Sequence, residues 1–200
     1  MSQLKLTADS GGGTVAIKGP ASTTGNAALD LTVPGTASAT LDTLGRAGNI
    51  LQVVEGTLTS GFTTSSQTMV DTGLSATITP SSSSNKILIL LSLGQFINRT
   101  SHKRAFGNIL RGSTVLFTGD AATGEEVTIA VSHRTAQDDY YMSPLSRSFL
   151  DTPNTTSATT YKLQASIASD GGYVYMNRPY NQDANGGNTA SSIILMEIAA

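Results

Sequence analysis

The residues best able to do chemistry in this chain are few and far apart. His102 and His133 are the only histidines, and each follows a serine, as Ser101-His102 and Ser132-His133. Acyl transfer needs a nucleophile, a base and an orienting acid within hydrogen-bond reach. Neighbours along a strand point to opposite faces, so adjacency argues against a direct Ser–His pair. Glycoside hydrolysis needs two carboxylates flanking one bond. Asp138-Asp139, Glu125-Glu126, Asp151, Asp170 and Asp183 all stand near turns, with nothing to pair them across a cleft. Gly11-Gly12-Gly13 lacks the Lys-Ser/Thr and the helix start of a phosphate loop. Asp183-Ala184-Asn185-Gly186-Gly187-Asn188 has the alternating oxygens of a calcium loop, but Ile194 stands where the closing acidic ligand belongs. The chain has no cysteine, which removes disulfides and thiolate metal sites. The expectation is a non-enzymatic chain with no cofactor and no metal.

Two stretches read instead as recognition chemistry. Asn98-Arg99-Thr100-Ser101-His102-Lys103-Arg104 is the one basic cluster, set between the strongest apolar runs and so in a loop at one end of the fold. Arg99, His102, Lys103 and Arg104 suit an anionic sugar or acidic residues of a neighbouring subunit; a plain solvated loop is the competing reading. Tyr173, Tyr175, Arg178, Tyr180, Asn181 and Asp183 form an aromatic-polar stretch. Aromatic faces stack while amides read hydroxyls, the composition of saccharide sites and of protein interfaces. Tyr173 and Tyr175 share one strand face and read as structural. Tyr180, Asn181 and Asp183 lie past Pro179 and are the preferred contacts.

The elements that must position these residues are strands. Ser and Thr make up 52 of the 200 residues, Gly adds 20, and only 13% are charged. Thr favours strands while Gly and Ser favour turns. A net charge of −2 and long apolar runs argue against disorder, and leave no basic field for nucleic acid. The longest apolar run, Ile87 to Leu91, is far too short to cross a bilayer, and the first residues lack the charged and apolar regions of a secretory signal.

From Asn49 onward strand signals recur: Asn49–Gly56, Met69-Val70 and Leu74–Thr79 around a turn at Asp71-Thr72-Gly73, and Lys86–Ile97. Phe106–Phe117 reads as a hairpin tipped by Gly112, and Thr57–Ser66 as a polar loop or edge. Glu126–His133, Leu145–Leu150, Thr159–Ala168, Tyr173–Asn177 and Ser191–Ile198 complete the set. Eight to ten strands without a helix predict an all-β head over 47–200, a jelly-roll-like β-sandwich. Ile87–Leu91 is apolar on both faces, which suits burial on both sides or at a subunit interface; Ile193–Ile198, also apolar on both faces, suits a central strand.

Residues 1–46 differ. Every Phe and Tyr lies from Phe62 onward, and the leader carries only short alternations: Leu4/Leu6, Val15/Ile17 and Leu29/Leu31/Val33. Such pieces are too small to enclose a core, but three chains can pool them. Leu4, Leu6, Val15, Ile17, Leu29, Leu31 and Val33 are the candidate attachment or oligomerisation residues, and a homotrimer is expected.

The leader, with Gly11-Gly12-Gly13-Thr14-Val15-Ala16-Ile17-Lys18-Gly19-Pro20 and Gly25-Asn26-Ala27-Ala28-Leu29, resembles the start of fibre-type structural proteins of marine tailed phages. Val70–Ile89 and Ile109–Thr114 are similar to heads carried in that family. The resemblance covers most of the chain. It implies a homotrimeric virion protein assembled in the host cytoplasm, its leader bound to other virion proteins and its head outward. A tail-fibre component recognising a host surface glycan or protein is one expectation, and a capsid decoration or short capsid fibre the other. Neither implies nucleic-acid binding or membrane insertion.

Overall fold

The structure is a computed structural model that describes residues 46–98, 104–120, 128, 130–133, 144–168, 171–181 and 186–200. The leader, with Leu4, Leu6, Val15, Ile17, Leu29, Leu31 and Val33, lies outside the described residues, as do Arg99, His102, Lys103 and Asp183.

The described residues form twelve strands and no helix: β1 (Ile50–Leu58), β2 (Phe62–Thr64), β3 (Val70–Ile78), β4 (Lys86–Leu93), β5 (Phe96–Asn98) and β6 (Arg104–Arg111), then β7 (Thr114–Leu116), β8 (Ala130–His133), β9 (Leu145–Asp151), β10 (Thr159–Ile167), β11 (Val174–Met176) and β12 (Ser191–Ile198). They pair into three antiparallel sheets. One has the order β1-β12-β4-β9; the second is β3-β10-β6-β7 with β8 also on β6; the third is β2-β11-β5. The arrangement is that of an all-β sandwich.

Period-2 alternation puts the core between the sheets. Leu74, Ile78, Ile87, Ile89, Leu91, Ile109, Tyr161, Leu163, Ile193 and Leu195 come from both larger sheets and join one buried cluster. The clearest alternation in the sequence, Tyr161/Leu163/Ala165/Ile167, is buried throughout. The hairpin predicted at Gly112 forms between β6 and β7, with Gly112 at φ +58°.

Three local expectations change. The turn expected at Asp71-Thr72-Gly73 lies within β3, because an irregularity in its pairing with β10 absorbs Gly73 at φ +91°. Thr72 Oγ1 donates to the Leu163 carbonyl there, at 2.9 Å. The long strand expected over Lys86–Ile97 breaks at Gly94, where a Cβ would lie 2.5 Å from the Ala190 carbonyl oxygen. Only a glycine fits this close approach, and β4 and β5 on either side of it belong to different sheets. Thr57–Ser66, expected as a polar loop or edge, ends β1 and supplies β2, an edge strand of the small sheet.

The two larger sheets meet closely at Gly56, where any Cβ would run into the Ser75 carbonyl of β3. Backbone is not free to retreat as a flexible side chain is. Gly56→Ala is expected to cost about 2 kcal/mol of stability, read from the urea midpoint at unchanged slope.

Candidate functional site

The aromatic stretch folds onto the small three-stranded sheet. Tyr175 lies in β11 opposite Thr63 of β2 and Ile97 of β5. Directly after β11, Asn177 adopts φ +60° and is buried, a left-handed conformation that Asn tolerates better than most residues. Its side chain accounts for the conformation. Asn177 Nδ2 donates to the carbonyls of Leu58, at 2.7 Å, and Ser60, at 3.4 Å. Ser191 Oγ donates to Asn177 Oδ1 at 2.5 Å, and the Gly94 amide donates to Ser191 Oγ at 3.2 Å. One amide thus ties the end of β1, the β4–β5 break and the start of β12 together. It also fixes the direction in which the chain leaves β11.

That exit places Arg178. Its aliphatic stem covers Gly61, where a Cβ would stand 2.8 Å from Arg178 Cδ. Its guanidinium carbon lies 5.7 Å from the Tyr175 ring centre, within cation–π range. Arg178 Nε donates to the Pro179 carbonyl at 3.3 Å, and Nη2 to the Tyr180 carbonyl at 3.5 Å. The Tyr180 ring then stands edge-on to Tyr175, with centres 5.7 Å apart and planes at 84°. Tyr173 tilts against Tyr175 at 6.2 Å and keeps 46% of its surface exposed.

The stretch therefore makes a three-ring surface. Tyr175 is its buried centre, Tyr180 a half-buried flank, and Tyr173 the ring open to a ligand. Rings fixed at two torsions bind at small entropic cost, and their faces accept apolar sugar faces or side chains. The sequence points to Tyr180 and Asn181 as contacts, and both are partly exposed. It reads Tyr173 as structural, whereas its exposure makes it the most available ring. Arg178 was visible in the sequence without an assigned role, since stacking over Tyr175 depends on the left-handed turn at Asn177. Arg104, the described member of the basic cluster, is exposed at the start of β6, in a different sheet.

Three of the described carboxylates serve structure. Asp71 takes hydrogen bonds from Lys162 Nζ at 2.8 Å and Gln164 Nε2 at 2.7 Å, and these bonds hold its pKa below the usual carboxylate value. Asp151, one of the acids considered for hydrolysis, is bound by Arg111 and Tyr161 across the two large sheets. Glu197 faces the core.

No protein-family model matches this chain, and no curated protein matches it.

Proposed function

We propose that this chain is a virion structural component of a tailed phage: a homotrimeric tail-fibre head that recognises a host surface. In this reading the sandwich is jelly-roll-like, residues 1–46 join it to other virion proteins, and the head is the presented part. The observation that carries the recognition role is the fixed three-ring surface with Tyr173 open. The resemblance of the leader and of Val70–Ile89 to fibre-type proteins of marine tailed phages supplies the setting.

An open ring worth about 1.4 kcal/mol of stacking changes affinity about tenfold. Tyr173→Ala is therefore expected to weaken binding of the purified chain to host cells about tenfold while lowering its thermal midpoint by only a few degrees. Wild-type binding by that variant argues against this surface. Gold labelling of the chain on intact particles tests the location. Label on the tail supports the fibre, whereas label over the capsid lattice or vertices replaces it with a capsid decoration.

A further inference from the structure

The outer face of the β1-β12-β4-β9 sheet is apolar where a sandwich facing water should be polar. The register aligns its outward residues in rows. Val53, Met196, Leu88 and Leu150 stand side by side across all four strands. On one side of that row lie Ile50 and Ile198 with Lys86; on the other lie Glu55, Ile194, Leu90 and Ser148. The next row is wholly hydroxylated: Thr57, Ser192, Ser92 and Ser146. Ile50, Val53 and Leu150 are 54%, 56% and 57% exposed, so these side chains lie outside the head's own core.

We infer that this sheet face is the surface on which copies of this chain associate, so that the occupant of each face is another copy. Three features favour a like partner. The first is size. Four strands about 4.8 Å apart and four rows about 7 Å apart give a face of ~500 Å², most of the ~800 Å² per partner that a stable interface uses. Its eight aliphatic residues form a centre, and Ser, Thr, Glu55 and Lys86 a polar rim, which is the anatomy of protein interfaces.

The second feature is charge. The rows hold Glu55 and Lys86, and Arg147 lines the recess beside them, so each face carries both signs of charge and identical faces can set Glu55 of one copy against a cation of another. The third is shape. Beside the aliphatic row, Leu90, Leu91, Ile194, the small Ser92, Ser146, Ser148 and Ser192, and Arg147 line a hollow of about 390 Å³. Each copy thus offers both a ridge and a recess to receive one, which is the self-complementarity that association of identical chains requires. Three such faces can also close around an axis. A triangle with sides of about 19 Å leaves about 5.5 Å from each sheet to the centre, close to half the ~10 Å between packed sheets. Aliphatic side chains fill that space.

The inference gives the homotrimer proposed above an interface, and sedimentation equilibrium of the full chain tests it. Wild type is expected to be an oligomer at micromolar concentration. The double variant Val53→Lys/Leu150→Lys is expected to be a folded monomer, its dissociation constant raised at least about 100-fold by burial of unpaired charge. Val53→Thr/Leu150→Thr, which keeps strand propensity, is expected to weaken association about tenfold. Val115→Lys, at an exposed aliphatic residue of β7, is expected to change nothing. A monomeric wild type overturns the inference, and so does an oligomer that both double variants leave intact. A wild-type dimer released by these variants supports the face while overturning the threefold arrangement.

Discussion

Glu197→Gln is expected to lower the unfolding free energy of the head by about 3 kcal/mol at neutral pH. Glu197 lies in β12 with 0% exposure, a position where an unpaired carboxylate would be prohibitive. It is not unpaired. Oε1 accepts from Asn85 Nδ2 at 2.6 Å, the Ser81 amide at 2.7 Å and Ser81 Oγ at 2.8 Å; Oε2 accepts from Gln52 Nε2 at 2.6 Å. These bonds fasten β1 and the turn between β3 and β4 to the central strand. Burial on its own pushes the Glu197 pKa up, but the donors from Asn85, Gln52 and Ser81 outweigh it and hold the carboxyl at about 2.

The sign of the pH dependence follows. A carboxyl whose folded pKa lies below its unfolded value of about 4.3 contributes fully above that value, and its contribution is lost as pH falls towards the folded pKa. Wild-type stability attributable to this group should therefore decline between about pH 4.5 and about pH 2. In Glu197→Gln that component vanishes, so the gap between variant and wild type narrows as the solution is acidified. Urea titrations at neutral and acid pH check both parts. A gap that stays constant with pH would remove the carboxylate from the account.

Asp151→Ala is expected to cost about 3 kcal/mol, because it strips two buried or half-buried donors of one acceptor. Asp151, at the end of β9, accepts from Arg111 Nη1 at 2.7 Å at each of its oxygens and from the Tyr161 hydroxyl at 2.7 Å. Arg111 closes β6 and Tyr161 lies in β10, so the group rivets the two large sheets together. Burial raises the Tyr161 hydroxyl pKa, and the bond to Asp151 and its negative charge raise it further. The hydroxyl consequently stays protonated, a donor, well into alkali. Tyr161→Phe removes one bond and is expected to cost about 1 kcal/mol. In the double variant the two losses should fall short of additive by about 1 kcal/mol, since both act on one network. Full additivity in chemical denaturation would show that the contacts work independently.

What the sequence made legible follows periodicity. The alternation at Tyr161 to Ile167 exposed its own core face, and the tip at Gly112 its own turn. The doubly apolar Ile87–Leu91 was also legible as a strand, and the structure buries its Ile87, Ile89 and Leu91 face in the core. Its register with Met196, Val53 and Leu150 was not, because pairing between strands more than 60 residues apart leaves no local trace. The three-ring surface was half visible. Its rings were countable, but their grouping depends on Asn177 turning left-handed against groups from β1 and β12. Glu197 shows the same limit. Amid Ile193–Ile198 it looks like an interruption of an apolar strand, and only the approach of Gln52, Ser81 and Asn85 makes a buried carboxylate tolerable there.

The most direct test of the central claim is a cryo-EM map of the particle that carries this chain. The account predicts tail-borne heads in which three copies surround one axis, with the Val53, Met196, Leu88 and Leu150 rows turned inward and Tyr173 outward. Single heads with that sheet face open to solvent, or heads seated on the capsid, would contradict it.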